Sequence, residues 1–186
     1  MVRPERERLS GIVKVDEAYW GGGEEGVRGR EPIEKALIIV AAEAISGPGG
    51  AIGGIRLSHI SDVKRRTLHG FIAQSIGLGG TVMTDGLQAY REMAGYVHRR
   101  YARKHQPADA EEELLPRVHR VVSLLKRWLM GTHRGSVSHE HLEAYLNEFT
   151  FRFNRRTSKS RGKLFYRLAQ HAVKIKPTMI DSIIHK

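Results

Sequence analysis

The run Ala36–Ala44, ALIIVAAEA, constrains this chain more than any other stretch. Its first seven residues are all apolar, and nothing in it alternates. A strand with one wet face alternates, and a surface helix leaves a polar stripe. A short continuous apolar run fits a strand covered on both faces. Such a strand needs a packed layer on each side of its sheet. Residues 11–20 (GIVKVDEAYW) are rich in β-branched and aromatic side chains and read as a strand before it. Residues 21–32 hold five glycines and a proline and read as the connecting loop. Beyond the turn SGPGGAIGG, residues 55–60 alternate and read as a third strand, completing a meander.

The remainder changes period. Residues 62–76 place Val63, Leu68, Phe71, Ile72 and Ile76 near helical spacing, with Ser61 as the expected cap. Residues 80–84 form a short apolar strand ending at Asp85, and 96–101 a further strand. A polar, acidic linker is expected at 106–113, then helices at 116–130, 138–152 and 163–174, with Ser138 capping the second. The expected class is α/β: a mixed five-stranded sheet flanked by helices, with a helical C-terminal extension. At 186 residues the prior is one domain. Its expected limits are 11–175, between tails at 1–10 and 176–186.

The charge is lopsided. The chain carries 31 Lys and Arg against 20 Asp and Glu, a formal net of +11, and a pI near 10.2. Residues 1–90 hold 11 of each sign, so 91–186 supply the whole excess, with 20 against 9. A neutral half joined to a basic half implies a polyanion-facing side. With no cysteine there is no disulfide framework and no Cys-ligated metal or cluster. No apolar stretch approaches a membrane span, and MVRPERERLS has no signal-peptide core.

Three residues stand out chemically. Asp16 interrupts a strand, where aspartate is disfavoured, so it is exposed, paired or holding a metal. Asp85 ends a buried strand before Gly86; it is either a turn residue or an active-site carboxylate at a strand's C-terminal end. His119 opens a helix and shares a stripe with Lys126 seven residues on, or else serves as a structural histidine. Two aspartates and an imidazole around one sheet suit Mg2+ or Mn2+, and a pair of such ions suits in-line displacement at a phosphodiester. GGGEEG lacks the Lys-Ser/Thr of a phosphate-binding loop, and His139-Glu140-His141 lacks zinc-protease spacing. Residues 152–167 carry Arg152, Arg155, Arg156, Lys159, Arg161, Lys163 and Arg167, interleaved with Phe151, Phe153, Phe165 and Tyr166. This pattern fits backbone phosphate contacts or a solvated basic helix end.

VDEAYWGG at 15–22, TDGLQAY at 84–90 and the block from Val118 through LLKRWLMGTH to HLEAYLNEFTFRFNRR resemble the ISXO-like group of DDE-type insertion-sequence transposases. The resemblance runs from about residue 10 to residue 170. It implies a ribonuclease H-like fold, with Asp16 and Asp85 as the first two catalytic carboxylates. The third position, 34 residues after Asp85, is Glu or Asn in many members and is His119 here, a DDH variant. It further implies two Mg2+ (or Mn2+) ions on Asp16, Asp85 and His119, with Lys126 on phosphate near the scissile bond. Arg127, Arg152, Asn154, Arg155, Arg156, Lys159, Arg161 and Lys163 are the further candidate DNA contacts.

The implied activity is hydrolysis at the element's ends, then transfer of the freed 3′-OH into target DNA. It needs no small-molecule substrate and no membrane. A homo-oligomer on paired ends, in the bacterial cytoplasm at the nucleoid, is expected. Relatives usually carry an upstream zinc ribbon and helix-turn-helix, so the chain reads as a catalytic domain alone. The alternatives are a nuclease of the same fold without strand transfer, and a non-catalytic DNA-binding remnant of a truncated transposase.

Overall fold

The computed structural model describes residues 7–21, 35–45, 51–100, 115–133, 137–160 and 162–173. The loop expected at 21–32 lies almost wholly outside these residues. So do the linker at 106–113, Arg161, residues 1–6 of the expected N-terminal tail and the whole of the C-terminal one. Five strands form one sheet: β1 Ile12–Trp20, β2 Ala36–Ala44, β3 Ile52–Ile60, β4 Thr81–Thr84 and β5 Val97–Arg100. Four helices accompany them: α1 Arg65–Ser75, α2 Pro116–His133, α3 His139–Phe153 and α4 Gly162–Ala172. The spatial order is β3-β2-β1-β4-β5. β1, β2 and β3 pair antiparallel as a meander; β4 joins β1 in parallel, and β5 joins β4 in parallel. The sheet is therefore mixed, as the pattern of elements predicts.

β2 is apolar throughout because both its faces are covered. Ala36, Ile38, Val40 and Ala42 pack in one core with Val118, Val121, Leu125 and Leu129 of α2 and Leu142, Leu146, Phe149 and Phe153 of α3. Ile39 and Ala41 point the other way, into a second core with Val13, Val15, Leu68, Ile72, Val82 and Tyr90. α1 covers this second face, and α2 and α3 cover the first.

The local details differ from expectation in three places. α1 begins at Arg65 rather than after Ser61. Asp62 accepts hydrogen bonds from the Lys64 N–H (2.9 Å) and the Thr67 hydroxyl (2.6 Å), turning the chain before the helix starts. Ser138 stands at the start of α3 but makes no side-chain capping bond. β3 begins earlier than its alternating part, at Ile52, and runs through Gly53 and Gly54, where Glu43 Oε2 accepts from the Gly54 N–H at 2.6 Å. A Cβ on Gly53 or Gly54 would lie 2.6 or 2.9 Å from that carboxylate oxygen, so glycine permits the approach.

α3 is tied along β3 by its polar side chains. Asn154 Oδ1 accepts from the Ile55 N–H (2.7 Å), while its Nδ2 donates to the Ile55 carbonyl (3.1 Å). Arg156 donates to the carbonyls of Gly53 and Ile52. Glu143 accepts from the His59 N–H at 2.8 Å. Among the described residues no helix is long and apolar enough to cross a membrane.

Candidate active site

Alternation along β1 decides what each side chain meets. Val13 and Val15 face the α1 core and Trp20 the α2 core, so Asp16 points to the α2 side and Glu17 to the α1 side. β4 is registered to β1 by Ile12↔Thr81, Val13↔Val82 and Lys14↔Met83. Val82 faces the α1 core, so Asp85, of opposite parity, falls on the α2 side near Asp16. α2 then brings His119 over β1, with Nε2 3.4 Å from Asp16 Oδ2. The Asp16 side chain is 18% exposed and that of His119 43%, so the pair sits at the mouth of the site.

Backbone donors orient both carboxylates. Asp16 Oδ1 accepts from the Glu17 N–H (2.9 Å), and Asp85 Oδ1 from the Leu87 N–H (3.0 Å). Burial raises the Asp16 pKa, and the charge of Asp85 raises it further; the Glu17 N–H and His119 oppose this. Among the described residues no three His, Asp or Glu side chains are gathered into one metal-sized cluster. The geometry joins Asp16 to His119, and the charge of Asp85 acts on Asp16 from nearby.

Glu17 and Tyr90 were not among the candidate residues, although both lie inside the motifs that supplied the aspartates. The Tyr90 hydroxyl donates to Glu17 Oε1 beneath the sheet. Burial pushes the Glu17 carboxyl from 4.5 up to about 7, and burial also raises the Tyr90 phenol. Parity groups Glu17 with Val13 and Val15, but which layer that parity faces is set only by the fold. Arg100 was also missed. It pairs with Thr84 across β4 and β5, and its Nε and Nη2 lie 3.7 Å from where a Gly86 Cβ would be.

The candidate cations divide into groups. Lys126 and Arg127 are exposed on α2. Arg152 is paired to Glu148 at 2.7 Å. The Asn154 amide is committed to Ile55, and Arg156 lies over the Phe153 ring at 4.0 Å while bonding β3. Arg155 stacks on Phe151 at 3.9 Å and, with Ser158, Ser160, Lys163, Leu164 and Arg167, lines an open cleft of about 230 Å³. Lys159 is exposed nearby in sequence.

The architecture is similar to that of the catalytic core domain of BIV integrase, with a TM-score of 0.50 and 16% identity. The match covers 90% of this chain and 100% of that one. At that identity the likeness establishes the fold, which is ribonuclease H-like. No curated protein matches the chain. The family described as the ISXO2-like transposase domain matches residues 8–154, most of the chain and every element from β1 through α3. With its sheet and that match together, the chain belongs to the ISXO2-like transposase family.

Proposed function

We propose that the chain is a DNA transposase catalytic domain that cuts at the ends of an insertion sequence and joins the freed 3′-OH to target DNA. The observation that carries this reading is Asp16 lying 3.4 Å from His119, with Asp85 near enough for its charge to act on Asp16. Two carboxylates and an imidazole make a donor set suited to Mg2+ or Mn2+, and these three residues would hold the two ions. The chemistry such ions supply when bound is activation of a water or 3′-OH nucleophile and stabilisation of the leaving oxygen.

The protein's own groups do the rest. The Glu17 and Leu87 N–H groups hold the two carboxylates in fixed rotamers. Lys126, seven residues along α2 from His119, would reach toward the phosphate backbone, as would Arg100, which lies against Gly86, the residue after Asp85. The basic groups around 155–167 extend the track that a DNA backbone follows. In this reading the chain self-associates to hold two element ends together.

The test is nicking and joining of oligonucleotides that carry the terminal repeats flanking the gene, in Mn2+, with wild type and Asp85→Ala. Metal-dependent joined products that vanish in Asp85→Ala support the proposal. Nicks without joining, also lost in the variant, move the assignment to a nuclease of this fold. DNA binding that ignores both metal and Asp85→Ala, with no cleavage, makes the chain a binding remnant.

A further inference from the structure

The backbone ladder between β1 and β4 ends at Lys14 and Met83, two residues short of each aspartate. Registered strand pairing therefore stops before it can set the distance between the Asp16 and Asp85 carboxylates. A chain of hydrogen bonds on the opposite face of the sheet spans the gap. Asp16 Oδ1 accepts from the Glu17 N–H. The Glu17 carboxylate accepts from the Tyr90 hydroxyl. The Tyr90 N–H donates to the Leu87 carbonyl at 3.3 Å. The Leu87 N–H donates to Asp85 Oδ1. The circuit begins on one catalytic carboxylate and ends on the other.

Tyr90 is suited to anchor it. The residue is 0% exposed, its ring locked among the apolar side chains beneath α1. A phenylalanine facing an apolar residue 17 would fill the same core without drying out a carboxylate and a phenol. Burying such a polar pair gains little stability over an apolar one, so packing alone does not account for it.

We propose that the Tyr90–Glu17 hydrogen bond is a brace that sets the separation of Asp16 and Asp85 and so preorganises the cation site from the far side of the sheet. This rests on the reading above that the two aspartates hold divalent ions. Neither Tyr90 nor Glu17 touches the ions or the DNA; both are positioning residues. Groups that orient metal ligands from behind carry a large part of metal affinity, which makes the brace measurable.

The experiment titrates Mn2+ alone into the purified chain and follows its paramagnetic resonance signal, with thermal melting as a check on folding. Asp85→Ala identifies which binding belongs to this site. Tyr90→Phe keeps the ring and deletes the hydroxyl; Mn2+ binding at this site weakens about tenfold. Glu17→Gln keeps an acceptor oxygen for Tyr90 and restores near-native affinity. Glu17→Ala breaks the bond from the other end and reproduces the tenfold loss, which covers the case in which Tyr90→Phe does not fold. Native Mn2+ affinity in a folded Tyr90→Phe or Glu17→Ala overturns the brace and leaves the proposed function standing. A Glu17→Gln loss as large as that of Tyr90→Phe overturns it too, by showing that charge and not the hydrogen bond matters. A wild-type chain that binds no Mn2+ overturns the proposed function and the brace with it.

Discussion

Glu17 sits on the side of β1 that otherwise carries Val13 and Val15, and its carboxyl is pushed from 4.5 to about 7 mainly by burial. In the unfolded chain it releases its proton near the ordinary value. Between 4.5 and about 7 the folded state keeps a proton that the unfolded state has lost. The stabilisation from this group is complete below pH 4.5 and is lost as pH rises through about 7. Wild type is therefore expected to lose melting temperature relative to Glu17→Gln as pH climbs through that window; parallel curves for the two would contradict this. Asp16 and Asp85 were legible in the sequence because a carboxylate inside an apolar strand, or at its end, needs a reason to be there. Glu17 was not, although it is the next residue. In a strand covered on both faces, sequence alone does not say which parity meets which layer. Only the fold of the sheet tells Asp16 from Glu17.

At the level of elements, the hydrophobic periods located the strands and helices, and the interactions that fasten them together were hidden. Asn154 lies in an arginine-rich run and reads there as one more DNA contact. Its amide instead makes two hydrogen bonds to Ile55, 99 residues upstream and fully buried. Nothing local to residue 154 announces a partner so distant. Asn154→Ala strands a donor and an acceptor on β3 and is expected to cost about 1–3 kcal/mol, read by urea denaturation. Leu125, 2% exposed between α2 and the sheet, is a different kind of fastening. Leu125→Ala opens a cavity and is expected to cost about 2–5 kcal/mol in the same measurement. The start of α1 shows the same limit on a smaller scale. Ser61 and Asp62 are both good turn formers, and which of them closes the turn depends on where Thr67 presents its hydroxyl.

For the whole molecule, the mixed sheet followed from a meander succeeded by crossovers, and the basic half of the chain followed from counting charges. The way the cations divide did not, because aromatic stacking and carbonyl contacts have no linear signature. Lys159 and Lys163 are exposed and carry no ion pair among the described residues. The double variant Lys159→Gln, Lys163→Gln is expected to flatten the salt dependence of DNA binding. The slope of log K against log salt shrinks by about 0.9 for each phosphate contact removed, measured by fluorescence anisotropy. Asp85→Ala leaves that slope unchanged. The lacing of α3 onto β3 also bears on how copies of this chain can meet. Backbone groups of Gly53, Ile55 and His59 that an outer strand would use are already taken by Arg156, Asn154 and Glu143. An incoming polypeptide would have to displace these bonds to pair edge-to-edge there. An association of copies at this border would then rest on side-chain surfaces, and the border at β3 resists the cross-β growth that an open rim invites.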